Sequence, residues 1–512
     1  MSRHRSFHVA FVTLLHILLL TAVFLQGPVL HAQKASATTS APINGAPSSV
    51  SSDTHDAVRQ LIGETILNGR SYEYDGYLSD RIGPRLTGSA NYVRATEWAE
   101  QQFRELGLTN VHKEEWTMPA TWEPESPSIG CIVKPVEHKL HIYSVGWSPS
   151  TQKDGVKGEV VYVPSLASSA LDAQKTKLLG AVALLDDSSF GEKPTMDKIM
   201  EGFQQLRSFS PAAILVPGGS NGSEVLFPLS LSGAIDPIPE AEIGVEDASL
   251  VRRLLERGPV VVQFSLANRI RKDVKVANVI AEIPGREPSS EVVIVGAHLD
   301  SWQAGTGAQD NGTGVASVLE TARVIMAINQ PPRHTIRFVL FGGEEQGLLG
   351  STAYVRQHGA DLSKIDAVLI TDSGSQPAKG WYLMGREDEK EAVTAIKPLL
   401  TGLGADGVSS DTKFIFETDH AAFDVLGVPT LVLWNDVDKY SELHHKASDT
   451  FDSVVGKDLA QGTAVTAVTA YAIADRQKSF APHLSATEVE SMLRKAGVLD
   501  QYNYLKGIGT LP

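Results

Sequence analysis

Four compact apolar runs, alternating with helical segments, constrain the fold of this 512-residue chain more than any other feature. The runs are residues 292–297, 336–341, 367–371 and 430–434. Runs this short and this apolar are typical of strands that are buried on both faces of a sheet. Residues 313–328 and 345–358 have helical periodicity, so strand and helix alternate with short links. The alternation predicts an α/β fold, in which a mixed, mostly parallel sheet is sandwiched by helices.

Composition narrows the chemistry that such a fold can carry. The formal net charge of −15 argues against nucleic-acid binding, which needs Lys and Arg to neutralise phosphates. The single cysteine, Cys131, excludes an intramolecular disulfide framework and any multi-cysteine metal site. Catalysis must therefore use oxygen and imidazole ligands or a serine.

The N-terminal residues resemble a secretory signal. Arg3 and Arg5 form a basic segment, residues 9–25 are mostly apolar, and Ala32 offers a small residue at a cleavage point. An uncleaved membrane anchor is the competing interpretation, because the run is only just long enough to span a bilayer. We expect cleavage of residues 1–32, and hence an exported protein, periplasmic or secreted, with no membrane association after the signal is removed.

Composition and hydrophobic pattern divide the remaining chain into five parts. Residues 33–55 are rich in Ser, Thr, Ala and Pro and predict a flexible linker. The main α/β domain is expected in two parts, 56–122 and 269–478, around a β-rich insert at 123–268. A helical tail, 479–512, with a capping pattern at Ser485 and Glu488, is expected to be structural or interfacial. A homodimer through the insert or tail stays open.

Polar side chains cluster directly after the four predicted strands. They are His298 and Asp300 after the first, Asp310 in a Gly-rich loop, Glu344 and Glu345 after the second, Asp372 after the third, and His444 and His445 after the fourth. Each alone could be a helix cap or a buried structural residue. Because ligand sites form outside the carboxyl ends of parallel strands, their joint placement favours a metal site.

The residue types suit two metal ions. Two histidines and three carboxylates form a set that zinc accepts, and cobalt or manganese could replace it. Asp310 is the natural bridging ligand, because it lies centrally on a compact loop. Paired metals can share a water and lower its pKa. One acid of the pair Glu344 and Glu345 can then ligate while the other acts as general base, and Asp300 can orient His298.

Five motifs carry a family resemblance. They are VGAHLDS at 295–301, QDNGTG at 309–314, GGEEQGLLGS at 342–351, TDSG at 371–374 and HHKASDT at 444–450. The chain resembles the co-catalytic di-zinc aminopeptidases and glutamate carboxypeptidases, most closely the plasma glutamate carboxypeptidase branch. The resemblance spans residues 56–475, implies the zinc exopeptidase fold, and likens residues 123–268 to a protease-associated domain.

The resemblance implies a role for each motif residue. One zinc would be bound by His298, Asp310 and Asp372, and the other by Asp310, Glu345 and His445. Glu344 would be the general base, Asp300 would orient His298, and His444 would be free to donate to an oxyanion. A cis peptide bond is implied at Asp310–Asn311, although Asn311 stands where many relatives have Asp. Residues 418–420 resemble a segment near the substrate pocket, in which His420 is assigned a structural role.

We therefore expect an exported exopeptidase with two zinc ions, acting through a metal-bridging hydroxide on the bond beside a free N-terminus of a peptide or dipeptide. A metallo-carboxypeptidase of the same family is the first alternative. A serine hydrolase is another, because residues 218–222 (GGSNG) place Ser220 in a G-x-S-x-G pattern after a strand. A catalytically inactive binding scaffold is the non-enzyme alternative.

Overall fold

The computed structural model describes residues 52–191, 195–223, 225, 227–228, 231–288, 291–412 and 415–512. The expected signal peptide and all but the last residues of the expected linker lie outside this part of the chain and stay predictions. None of the helices within the described residues is long and apolar enough to cross a bilayer.

Among the described residues, fourteen strands form one mixed sheet with helices on both faces, which confirms the predicted α/β class. The strands are β1 Thr109–Lys134, β2 His138–Leu140, β3 Ile142–Ser144, β4 Val156–Tyr162, β5 Val182–Leu184, β6 Ala213–Pro217, β7 Glu240–Ile243, β8 Val261–Ile283, β9 Val292–His298, β10 Thr335–Phe341, β11 Ile365–Ile370, β12 Gly380–Tyr382, β13 Gly407–Ser409 and β14 Thr430–Trp434.

The four predicted strands form the parallel centre of this sheet. They are β9, β10, β11 and β14, and they lie in the order β14-β11-β9-β10. Strands β8 and β12 pair antiparallel with β10 and β14 on the two sides. Because the central four run in the same direction, their carboxyl ends lie along one edge.

The helices of the described residues pack on both faces of the sheet. They are α1 Ser52–Asn68, α2 Ser71–Tyr77, α3 Ala90–Glu105, α4 Ser168–Leu178, α5 Met196–Ser208, α6 Val245–Leu255, α7 Thr313–Ala327, α8 Leu349–Gln357, α9 Lys390–Leu400, α10 His420–Asp424, α11 Asp438–Leu443, α12 Gly456–Ala474, α13 Ala486–Ala496 and α14 Leu499–Gly507. Helices α7 and α12 are buried around most of their circumference, as expected of helices that are apolar on all sides.

One predicted helix begins later than the sequence indicated. The pattern predicted a helix over 345–358, but α8 begins at Leu349. Gly343, Gly347 and Leu348 have φ angles of 70°, 104° and 59°, which are incompatible with a right-handed helix. Residues 344–348 therefore form a turn, and Glu344 and Glu345 project from that turn instead of from a helix start.

Two long strands, β1 and β8, carry the chain into and out of the insert. They pair antiparallel along most of their length, with Glu123 opposite Arg269 and Pro124 opposite Asn268. The expected insert boundaries fall at this point of the ribbon, and the division into domains stays a prediction. Beyond the ribbon, β4 to β7 form a parallel layer with α4, α5 and α6, so this segment contains helices as well as strands.

Candidate metal centre and substrate pocket

The predicted site residues follow the carboxyl ends of adjacent parallel strands. Strand β9 ends at His298, and the neighbouring β10 ends at Phe341, shortly before Glu344. On the other side of β9, strand β11 ends just before Asp372, and β14 leads through α11 to His444. Residues far apart in sequence therefore meet at one edge of the sheet.

The first cluster of potential ligands contains His298, Asp310 and Asp372. Nε2 of His298 lies 3.1 Å from Oδ1 of Asp310 and 3.3 Å from Oδ1 of Asp372. His298 is 1% exposed and Asp310 is 4% exposed, so the ligand atoms converge in a site shielded from bulk water.

The second cluster contains Asp310, His444 and His445, and Glu345 contacts it through His445. Nε2 of His445 lies 2.9 Å from Oε2 of Glu345 and 3.4 Å from Oδ2 of Asp310. Nε2 of His444 lies 3.3 Å from the same Asp310 oxygen, and the two imidazole rings stack with centroids 3.7 Å apart. His444, expected to be free, thus reaches Asp310 as closely as His445 does. The contact with Glu345 supports His445 as the ligand.

The spacing and chemistry of these atoms fit zinc. Ligand atoms at about 2.0–2.1 Å from a tetrahedral zinc lie roughly 3.3 Å from one another. The separations of 3.1, 3.3 and 3.4 Å match that spacing, and the separation of 2.9 Å between His445 and Glu345 is shorter. Oε1 of Glu345 is buried and accepts no hydrogen bond from the described residues. Burial and the nearby Asp310 raise the pKa of Glu345 well above its usual value, which means that its ionised form is destabilised. A bound cation would stabilise that ionised form.

The backbone around Asp310 is held by a third acid. The N–H groups of Gln309 and Asp310 donate to the two carboxylate oxygens of Asp449, at 2.7 and 3.1 Å. The Asp310–Asn311 peptide bond is cis, as the resemblance implies. Asp449 therefore positions the shared ligand of both clusters.

Asn311 suits its own position, where the family resemblance leads one to expect Asp. Its Nδ2 donates to the carbonyl oxygen of Thr371 at 2.8 Å, and its Oδ1 accepts from the N–H of Gly314 at 2.9 Å. A carboxylate could accept but not donate, so the amide serves both partners.

Asp300 is placed to act partly through its backbone. Nδ1 of His298 lies 3.1 Å from the carbonyl oxygen of Asp300, whereas the carboxylate oxygen is 3.6 Å away, too far for a hydrogen bond. The carboxylate instead accepts from the N–H groups of Gly343 at 3.1 Å and Glu344 at 3.4 Å. Asp300 can thus orient His298 through its main chain and hold the turn that carries Glu344.

Burial and close charges shift the pKa values of the metal-free site. Burial opposes the charged imidazole of His298, but Asp372 and Glu344 outweigh it and raise its pKa well above the usual value. Burial also opposes ionised Asp310, yet His444 and His298 hold its pKa below its ordinary range. Although part of Glu344 faces the pocket, burial is the main cause of a pKa well above its usual value.

A cavity of about 150 Å³ lies beside the two clusters. It has room for roughly ten water molecules, which is enough for one substrate residue and the bond beside it. Its lining includes Glu344 and Asp372, apolar residues of the insert, and residues of the tail. The tail, expected to be structural or interfacial, therefore contributes to the pocket next to the candidate site.

Two pocket residues were not identified from the sequence. Glu417 lines the cavity, and burial together with Glu344 and Asp372 raises its pKa well above the usual value. Tyr440 on α11 also lines it, with its ring centroid 5.0 Å from that of His444. Glu417 directly precedes 418–420, the segment that resembles a pocket segment, and this was its one available signal.

Neither of the remaining sequence candidates belongs to the two clusters. His420 is fully buried, and burial lowers its pKa to about 3, as for a neutral core histidine. Ser220 is exposed on the loop after β6, and within the described residues the next helix, α6, begins only at Val245. The strand–serine–helix arrangement of a hydrolase elbow is therefore not present in that part of the chain.

Known proteins resemble this chain in sequence and in structure. Residues 278–470 match the model described as Peptidase family M28. Carboxypeptidase Q of Mus musculus is 31% identical over 433 residues, which cover 83% of this chain and 89% of the mouse protein. The crystal structure of a peptidase M28 precursor from Shewanella amazonensis is 29% identical, with a TM-score of 0.72 over 85% of this chain and 99% of that one. A zinc aminopeptidase from Bacillus subtilis shares the fold at 22% identity, with a TM-score of 0.62 over 81% and 98% of the two chains.

Proposed function

The chain belongs to peptidase family M28, and from that premise we propose that it is a zinc exopeptidase that removes N-terminal residues from peptides or splits dipeptides. The observation that carries the proposal is the pair of ligand clusters that share Asp310 beside a cavity with room for a substrate residue. Relatives described as aminopeptidases and as Carboxypeptidase Q support peptide hydrolysis.

Two zinc ions would be held by residues of this chain. His298, Asp310 and Asp372 would hold one, and Asp310, Glu345 and His445 the other. When bound, zinc polarises a carbonyl group and lowers the pKa of water. Asp449 keeps the shared ligand in place through the backbone N–H of Asp310.

Glu344 is the proposed general base. It lines the pocket and is half-buried, whereas the neighbouring Glu345 is buried and contacts His445. Glu344 takes a proton from water as the new C–O bond forms at the scissile carbonyl carbon, and gives that proton to the amine as the C–N bond breaks. Asp300 helps to hold Glu344 through the N–H bonds of the turn, and His444 donates a hydrogen bond to the oxyanion.

The charge of the pocket favours a free N-terminus over a C-terminus. Its lining contains five acids, namely Asp310, Glu344, Glu345, Asp372 and Glu417. Among the described lining residues there is no Lys or Arg that could pair with a C-terminal carboxylate. A substrate ammonium, by contrast, would find an acid outside the two ligand clusters, Glu417.

Elemental analysis of the purified protein, loaded with zinc and desalted, tests the metal assignment. We expect about two zinc ions per chain, and a lower content in Asp310→Ala and His445→Ala. His444→Phe should keep the metal and lower turnover, because it removes a hydrogen-bond donor outside the assigned ligands. A zinc content that is unchanged in Asp310→Ala would contradict the shared ligand, and unchanged turnover in His444→Phe would remove its donor role.

Blocked dipeptides test the direction of cleavage. Cleavage of leucylglycine and leucylglycinamide, but not of N-acetylleucylglycine, would support an enzyme that requires a free amine. Cleavage of N-acetylleucylglycine but not of leucylglycinamide would identify a carboxypeptidase, the alternative supported by the similarity to Carboxypeptidase Q. Cleavage of leucylglycine alone would identify a dipeptidase that requires both free ends.

Export is proposed from the N-terminal residues alone. Sequencing the N-terminus of the mature protein from the medium or periplasm should find a start near Gln33. An intact N-terminus in the membrane fraction would instead support the uncleaved anchor.

A further inference from the structure

We propose that the C-terminal tail is a specificity element of the substrate pocket, in which Leu505 bounds a subsite for a large apolar side chain of the N-terminal substrate residue. This inference rests on the proposed exopeptidase function and adds to it a specificity-determining residue of the tail. It replaces the expectation that the tail is only structural or interfacial.

The first observation is that the tail forms part of the pocket wall. Gln501, Leu505 and Thr510 all line the cavity. Leu505, on α14, is 4% exposed and belongs to the same apolar cluster as Phe416 and Val432, which line the cavity as well. Leu505 is therefore a packed part of the wall.

The second observation is that hydrogen bonds tie the tail to both sides of the pocket. Oγ1 of Thr510 donates to the carbonyl oxygen of Leu231 in the insert at 2.9 Å. Oγ1 of Thr352, on α8, donates to the carbonyl oxygen of Thr510 at 2.6 Å. Leu231 and Tyr504 pack against apolar clusters of both the main domain and the insert. The tail thus holds a defined position between the two.

The third observation is the chemistry of the wall that the insert provides. Its described contributions to the lining are Ile199, Met200, Phe227, Pro228 and Leu231, and all five are apolar. Together with Leu505 they form an apolar surface in the same cavity as the acids of the candidate metal centre. A substrate with a free amine and a Leu, Met or Phe side chain matches both surfaces, because its ammonium group would contact the acids and its side chain would contact the apolar wall.

Substitutions at Leu505 test the subsite, with a matched control in the same tail. Leu493 on α13 is 0% exposed, belongs to the same apolar cluster as Leu505, and is not part of the lining. The zinc-loaded protein and the variants Leu505→Ala, Leu505→Trp and Leu493→Ala would be assayed on the 4-nitroanilides of alanine, leucine and phenylalanine. The quantity compared is the ratio of kcat/KM for each large substrate to that for the alanine substrate.

We expect wild type to favour leucine and phenylalanine over alanine by about tenfold or more. Leu505→Trp should lower that ratio about tenfold by filling the subsite, and Leu505→Ala should lower the leucine-to-alanine ratio by removing a wall. Leu493→Ala should lose thermal stability as Leu505→Ala does and keep the wild-type ratio. A ratio unchanged in both Leu505 variants, or changed equally in Leu493→Ala, would overturn the subsite and leave the exopeptidase proposal standing.

A binding measurement separates failure of the subsite from failure of the proposed function. If wild type cleaves none of the three anilides but cleaves leucylglycine, it is a dipeptidase, and if it cleaves neither, the exopeptidase proposal fails. Calorimetric titration with leucinamide and alaninamide then decides the inference. Tighter binding of leucinamide to wild type, lost in Leu505→Trp, supports the subsite. Equal binding of the two amides, or no binding of either, overturns it.

Discussion

Glu344 and Glu345 are consecutive acids whose surroundings differ although their side chains are identical. Glu345 is buried, with one oxygen 2.9 Å from Nε2 of His445, whereas Glu344 is half-buried and faces the pocket. The turn that carries them directs the two side chains to different partners. Different environments for neighbouring acids allow different roles, here a ligand and a proton carrier.

Glu344→Gln tests this difference at the residue scale. The amide keeps the shape of the side chain but cannot accept the water proton, so we expect kcat to fall at least about 100-fold with zinc content unchanged. Steady-state kinetics and elemental analysis on the same sample measure both. Glu345→Gln is the control, and it should lose zinc. A Glu344→Gln enzyme with near wild-type kcat would refute the role of the base.

Glu417→Gln tests how the pocket recognises an amine. A bound ammonium favours the ionised form of Glu417 in spite of its raised pKa, so the neutral amide should lower kcat/KM for dipeptides with a free N-terminus by roughly tenfold, or about 1.4 kcal/mol. Glu442→Gln, an exposed acid on α11, is the control that changes net charge equally outside the pocket. Equal effects of the two variants would mean that Glu417 acts only through long-range charge.

At the scale of elements, strand β11 is anchored by an acid of its own. Asp366 is 5% exposed, and its Oδ1 accepts from the N–H of Phe480 at 2.7 Å, which ties the strand to the segment after α12. Burial is the main cause that raises the pKa of Asp366 to about 6. The hydrogen bond opposes that shift without cancelling it.

This raised pKa predicts a pH dependence of stability. The folded protein binds the Asp366 proton more tightly than the unfolded chain, whose Asp pKa is about 3.9. The stabilisation by the proton is complete below about pH 4 and is lost as the pH rises through about 6, a difference of up to about 3 kcal/mol. Asp366→Asn keeps an acceptor and cannot ionise, so it should exceed wild type by about 1–3 kcal/mol at pH 7.5 and match it near pH 4.

Urea unfolding at the two pH values measures that difference in the free energy of unfolding. Asp361→Asn, an exposed acid just before the same strand, is the control and should give no gain at pH 7.5. A gain for Asp366→Asn of the same size at both pH values would contradict the titration of Asp366.

At the scale of the whole molecule, zinc is expected to couple the site to global stability. Without metal, acids from four separate segments are gathered in one buried region, and a bound cation offsets their repulsion. Ligand at about 100 times its Kd adds roughly 2.7 kcal/mol to the free energy of unfolding. Thermal unfolding with and without a chelator should therefore show a higher Tm for the zinc-loaded protein.

Two variants test whether the zinc-dependent Tm shift comes from zinc at the candidate site. Asp310→Ala should lose most of the zinc-dependent Tm shift, because it removes the ligand that both clusters share. Leu493→Ala should have a lower Tm overall and keep the shift. An identical zinc shift in wild type and Asp310→Ala would place the stabilising ion elsewhere on the protein.

Much of the fold and of the candidate site could be predicted from local sequence. The four central strands were located because each is a short apolar run, and the site residues were found because they directly follow those runs. Parallel strands bring their carboxyl ends to one edge, so order along the chain was enough to predict that the candidate ligands gather there. The grouping of His298, Asp310 and Asp372 was implied by the family resemblance.

Other elements could not be recognised because their local signals are weak or contrary. Strand β1 contains prolines and charged residues, and the middle of β8, residues 269–275, is rich in charged residues and mostly exposed, so neither strand has an apolar run over its full length. The late start of α8 depends on the left-handed backbone of Gly343, Gly347 and Leu348, which the helical pattern does not reveal.

By itself, the sequence of this protein determined its α/β class, its central strands and the residues that gather at their ends, because each of these depends on neighbours a few positions apart. Only the tertiary structure decided which surfaces enclose the pocket. Leu231 of the insert and Leu505 of the tail lie far apart along the chain, and neither belongs to a motif. They line the same cavity because long-range packing and the hydrogen bond from Thr510 bring them together.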